Sequence, residues 1–142
     1  MNDKGWEFFA HTADAKYEAY GKTLEELFKN AGLACFEVMT DTSIIKKEQS
    51  FPITIQAKRL ESLLFDYLDE LLFLMDTENI MVADISDIKI TKEEEYALKA
   101  TVYGDNHKKY DVTSDVKAIT YSEMKIEQQA DNSWTCTVVV DI

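Results

Sequence analysis

Glycine and proline are scarce, four and one residues in a chain of 142, which excludes collagen-like, linker-like and turn-dense small-scaffold chains. Arginine occurs once, at Arg59. With no guanidinium cluster to grip phosphates or read guanines, direct nucleic-acid binding is not expected. The two cysteines, Cys35 and Cys136, stand far apart without metal-type spacing. No apolar run approaches the roughly 18–20 residues that cross a bilayer. The opening Met1-Asn2-Asp3-Lys4-Gly5-Trp6 lacks the basic segment and apolar stretch of a signal peptide, so the expected location is cytoplasmic, without a membrane partner. Phosphate-cradling glycine loops, a Gly-x-Ser-x-Gly elbow, a Cys/His metal cluster and a nucleotide fingerprint are all missing, which leaves few places for a conventional enzyme.

What is present is a core-forming composition. Hydrophobic residues make up 46%, with seven Phe, seven Tyr and two Trp, too much apolar surface for a disordered chain. The length fits one domain, residues 1–142, able to bury a core without staples. Fifteen basic and 27 acidic residues leave a net charge of −12. The acidity concentrates in residues 61–95, where eleven Asp and Glu face only Lys89 and Lys92. Such a surface either steers a basic protein partner or simply keeps the protein solvated.

Hydrophobic spacing gives the elements. Trp6, Phe8 and Ala10, then Ala15, Tyr17 and Ala19, alternate as two short strands over 6–10 and 15–20. Thr23 followed by Glu26 is a capping box ahead of a helix reaching about Met39, with Leu24, Leu27, Phe28, Ala31, Cys35 and Val38 on one stripe. Cys35 therefore falls on the buried side, as Cys136 does in the last strand, and both read as structural thiols. Residues 50–57 alternate as a strand with Pro52 at an edge or near its start. A leucine stripe from Leu60 to Met75 makes a second helix, with Glu61, Asp66, Asp69 and Glu70 outward. Strands then follow over about 81–91, 96–103, 109–121, 123–128 and 134–141, with turns expected at Gly104-Asp105-Asn106 and Asp131-Asn132. Because strands bunch at the end instead of alternating with helices, the predicted class is α+β: two helices packed on a mainly antiparallel β-sheet.

Few residues can carry chemistry. His107 lies in a polar, turn-like stretch and reads as a solvated loop residue. His11 sits in His11-Thr12-Ala13-Asp14 between the first two strands, either a sheet-rim site or an Asx or ST turn satisfying its own backbone. At the other end Asp141-Ile142 places a side-chain and a main-chain carboxylate within a few ångströms of each other, and close like charges call for a cation or a proton. Together with Asp14 they would form a hard-oxygen set suited to Ca²⁺ or Mg²⁺ and not to Zn²⁺. Spacing alone does not bring the 11–14 segment to that end, and many chain ends face water.

The pieces together resemble the archease family. They are Phe9-Ala10-His11-Thr12-Ala13-Asp14, Gly21-Lys22-Thr23-Leu24-Glu25-Glu26-Leu27-Phe28, Met39-Thr40-Asp41, the run from Leu63 to Leu72, Val116-Lys117-Ala118-Ile119-Thr120-Tyr121, and Asp141-Ile142. The resemblance covers essentially the whole chain. It implies a non-catalytic activator of an RtcB-type RNA ligase, promoting guanylylation of the ligase and its repeated turnover in tRNA exon joining. It also implies a metal site made by Asp14, Asp141 and the Ile142 carboxylate, with calcium as the expected ion and magnesium compatible. His11 and Lys117 become candidate orienting or partner-facing residues, against plain structural roles for both. Where many relatives carry a histidine after the Lys-Ala-(Val/Ile)-Thr-Tyr run, this chain has Ser122, so no imidazole role transfers there. Two other classes stay open: a chaperone-like binding module without metal-dependent chemistry, and a metal-dependent hydrolase.

Overall fold

A computed structural model describes residues 4–10 and 14–142. In chain order the elements are β1 (Trp6–Phe9), β2 (Asp14–Gly21), α1 (Leu24–Glu37), β3 (Gln49–Ala57), α2 (Leu60–Glu78), β4 (Ile80–Lys92), β5 (Tyr96–Asn106), β6 (Ala118–Ile119), β7 (Lys125–Gln128) and β8 (Trp134–Asp141). Short 3₁₀ turns at Thr42–Ile44 and His107–Lys109 punctuate the connections. The α+β class holds, and all strand pairs are antiparallel, but they form two sheets. One has the order β1-β2-β8-β6, with β7 also paired to β8; the other has the order β3-β5-β4.

Both helices form for local reasons visible in the residues. The Thr23 hydroxyl accepts the Glu26 N–H at 3.1 Å and so starts α1. The stripe Leu27, Phe28, Ala31, Ala34 and Cys35 is buried. Helix α2 runs three residues beyond the expected Met75, to Glu78, and stops where Asn79 takes a left-handed conformation (φ 56°). Leu63, Leu64, Tyr67, Leu68 and Leu71 are fully buried beneath it. The core is shared: Tyr17, Cys136, Val138 and Val140 from the larger sheet join Ile85, Leu98 and Val102 from the smaller one around the two helices. Two buried tyrosines are satisfied by helix backbone, Tyr17 donating to the Ala31 carbonyl at 2.9 Å and Tyr67 to that of Phe28 at 2.8 Å. Both cysteines are buried and unpaired, and burial pushes each thiol up to about 12.

Two sequence expectations are corrected. Gly104-Asp105-Asn106 is not a turn: β5 continues through it, paired with Ile80, Met81 and Val82. A Cβ at Gly104 would lie 2.5 Å from the Met81 carbonyl, so the glycine marks close strand approach. The strand predicted over 109–121 is reduced to Ala118–Ile119. Its earlier part is a strap tied to the end of α1, with Thr113 N–H donating to the Met39 carbonyl at 2.9 Å and the Thr40 hydroxyl to that of Asp111 at 2.8 Å. Buried Val116 anchors it. The turn at Asp131-Asn132 is present, Asn132 taking φ 71°.

Candidate metal rim at the β2–β8 edge

Strands β2 and β8 pair from Gly21 opposite Trp134 to Asp14 opposite Asp141. Because the register is unbroken, the two aspartates end the ladder directly across from one another. Side chains of directly opposed residues share a face, with Cβ atoms about 4.5–5.5 Å apart. On that same face follow Lys16 opposite Val139 and Glu18 opposite Thr137. The other face carries Tyr17, Ala19, Cys136 and Val138 into the core, so core packing of alternate residues fixes which way the aspartates point.

Asp141 is held from its other side as well. Ala118 of β6 is its register partner, and the Lys117 N–H donates to the Asp141 carbonyl at 2.8 Å. The Thr120 N–H and hydroxyl both donate to the Val139 carbonyl, at 3.2 and 2.8 Å. The motif Val116 to Tyr121 thus serves as a clamp along the last strand. Lys117 is exposed beside the rim. Ser122 contributes its backbone N–H to the Thr120 hydroxyl at 3.3 Å, which is a turn-forming role. His11, with Thr12 and Ala13, lies outside the described residues.

The structure therefore joins Asp14 to Asp141 and Lys117, each over a hundred residues from it in the sequence. Asp14 is half-buried, Asp141 is exposed and Ile142 is 43% exposed, so the rim is reachable from solvent. Among the described residues no three His, Cys, Asp or Glu side chains gather as a metal site. The rim supplies two carboxylates, Asp14 and Asp141. Two acids opposed across a ladder repel unless something neutralises them, and an all-oxygen donor set suits a hard cation.

One neighbour escaped the sequence reading. Lys16 lies on the rim's face and pairs with Glu123 at 2.8 Å, its ammonium 6.0 Å from the Phe9 ring. A cation two residues from Asp14 on a strand is a usable signal, since i and i+2 share a face. Its partner, 107 positions away, has none. A groove of about 780 Å³ lies elsewhere, lined by Tyr20, Lys22 and Lys29 among others, and none of the rim residues borders it.

The model of the archease protein family (MTH1598/TM1083) matches residues 6–142. This chain belongs to the archease family. Protein archease of Pyrococcus abyssi is 39% identical over 142 residues, spanning 98% of this chain and 99% of its own length. That of Methanothermobacter thermautotrophicus is 42% identical over 141 residues, spanning 98% and 99%. The solution structure of Methanobacterium thermoautotrophicum protein 1598 superposes with a TM-score of 0.84 at 38% identity, covering 98% of this chain and 99% of that one. The resemblance read from the motifs is thereby established, and with it the archease fold. No helix among the described residues is long and apolar enough to cross a membrane.

Proposed function

We propose that this archease activates an RtcB-type RNA ligase in the cytoplasm, promoting guanylylation of the ligase and its multiple turnover in tRNA exon joining, and is not itself a catalyst. The observation that supports this reading is the placement of Asp14 opposite Asp141 in a family member matched over nearly its whole length.

In this reading Asp14, Asp141 and the Ile142 carboxylate hold calcium, with magnesium compatible with the same donors. Such an ion would supply positive charge directly at the two opposed carboxylates. The chain's own residues set its position: the β2–β8 ladder fixes the two aspartates, and the Lys117 N–H together with Thr120 hold the last strand against them. Lys117 extends from the rim toward the partner, and His11 stands as an orienting residue in the connection that leads into Asp14. Seated beside the ligase's nucleotide pocket, this rim assists by alignment and charge compensation, the main sources of catalysis in phosphoryl and nucleotidyl transfer.

The test is the rate of ligase guanylylation from GTP with and without the protein, with Asp141→Ala run beside the native chain and its fold checked by circular dichroism. Acceleration by the native chain and its loss in the folded variant support the reading. Full acceleration by Asp14→Ala and Asp141→Ala transfers the function to a chaperone-like docking role without the metal. Cleavage of simple phosphate esters by the purified protein alone, abolished in Asp141→Asn, makes it a hydrolase instead.

A further inference from the structure

Helix α2 carries Glu61, Asp66, Asp69, Glu70, Asp76 and Glu78 and not one cation in its 19 residues. Asp76 and Glu78 sit toward the C-terminal end, where the helix's own partial negative charge disfavours acids, and no basic residue occupies the last turn. The helix also forgoes acid–base pairs at four-residue spacing. Nothing in the helix itself compensates this charge.

Within it, Asp66, Asp69, Phe73 and Asp76 recur at three- and four-residue steps, and all four are exposed, so they form one outward stripe. Phe73 is 59% exposed in the middle of that stripe. The core takes the opposite side of the helix, through Leu64, Leu68, Leu71 and Met75, so packing does not account for an aromatic here. At its C-terminal end the stripe meets a cleft of about 270 Å³, where Asp76 faces Val112 and Asp115 of the strap. That strap continues to Lys117 and the Asp141 carbonyl, which makes the stripe contiguous with the metal rim.

We propose that this outward face of α2 is the surface by which the protein docks on the ligase, with Phe73 seated in an apolar pocket of the partner that is rimmed by lysine and arginine. The proposal rests on the activator reading above. An enzyme that handles RNA must present cations to phosphates, and a carboxylate-flanked face is complementary to such a surface. A single exposed aromatic ringed by charge has the anatomy of a binding hot spot, an anchor surrounded by groups that exclude water and steer approach.

The experiment titrates the native protein, Phe73→Ser, Asp69→Lys/Asp76→Lys and Glu95→Lys against the purified ligase, reading direct binding by interferometry and guanylylation from GTP. All the altered side chains are exposed, and circular dichroism confirms each fold. Phe73→Ser raises the half-saturating concentration and the Kd at least about tenfold while the rate at saturation stays at the native value. The double charge reversal slows association and flattens its dependence on salt. Glu95→Lys, on the 93–95 hairpin tip and not on the stripe, leaves both unchanged and so separates this face from overall net charge. Native affinity in both α2 variants, with the native chain still stimulating, overturns the docking surface and leaves the activator reading intact. Absence of stimulation by the native chain overturns both.

Discussion

The two sheets of this archease differ in how far along the chain their longest pairing reaches. In the smaller one β4 and β5 are sequence neighbours joined at the 93–95 tip, with β3 added along β5. In the larger one β2 pairs with β8, so that Asp14 meets Asp141 across nearly the full length of the chain. The sheet of shorter reach carries packing and an acidic hairpin; the sheet that spans the chain carries the rim. The candidate rim residues therefore come together only once both ends of the described chain have paired, since Asp14 and Asp141 lie on opposite sides of the ladder.

The core beneath the helices ties the two sheets together, and a single deletion there tests how strongly. Leu68 is fully buried on α2, which packs against strands of both sheets. Leu68→Ala is expected to cost about 2–5 kcal/mol in urea unfolding. Both Trp6 and Trp134 lie in the larger sheet, so tryptophan fluorescence reports on that sheet and far-UV dichroism on the whole. Coincident transitions in the variant are expected. A tryptophan transition displaced from the dichroism one would show that the rim's sheet melts independently of its neighbour.

A smaller effect separates the sheets by acid. Asp105, at the end of β5, is nearly inaccessible and accepts the Tyr110 hydroxyl at 2.7 Å, the Asn106 N–H at 2.8 Å and the Lys109 ammonium at 3.2 Å. The Tyr110 hydrogen bond foremost, opposed by desolvation and aided by the Asn106 N–H and Lys109, holds its carboxyl below the usual 3.8. A depressed folded value contributes stability that is fully present above the unfolded value and lost as pH falls through the folded one. Stability measured from pH 5 downward is thus expected to fall below about pH 4, the unfolded range of a carboxylate, and Asp105→Asn to flatten that decline. Tyr110 also accepts the Lys46 N–H at 2.9 Å, so the same carboxylate secures the start of the strap that leads to Lys117. An unchanged acid slope in the variant would assign the decline to other carboxylates.

Much of this was legible from the residues. The stripes Leu24 to Val38 and Leu60 to Met75 gave both helices because burial at helical spacing leaves a periodic trace, and Thr23 with Glu26 marked the first start. The strap was misread as strand, since Val112, Thr113 and Val116 have strand-like chemistry, yet their backbone partners lie at the end of α1, which no local pattern announces. Gly104-Asp105-Asn106 carried turn composition while long-range pairing with β4 kept it extended. The division into two sheets was invisible for the same reason. At the site, electrostatics singled out Asp141 with Ile142, and Asp14 joined them as a third hard donor and through the family resemblance; only register placed the two aspartates opposite one another.

The smallest expected effect bears most directly on that register. Directly opposed like charges in a ladder cost roughly 0.2–1 kcal/mol, so Asp141→Asn, in chelator and at low salt, is expected to stabilise the protein by up to that amount, read from urea midpoints. Calcium should reverse the order. A ligand that binds only the folded state stabilises it by an amount that grows with concentration, about 2.7 kcal/mol at a hundredfold excess over Kd. The native chain should then gain in Tm on titration with calcium, and the variant, one carboxylate short, should gain less. A native chain already more stable than Asp141→Asn in chelator would mean that the acids are compensated by neighbours such as Lys16, not by an ion. A crossing of the two curves as calcium rises is what a calcium site at the opposed pair requires.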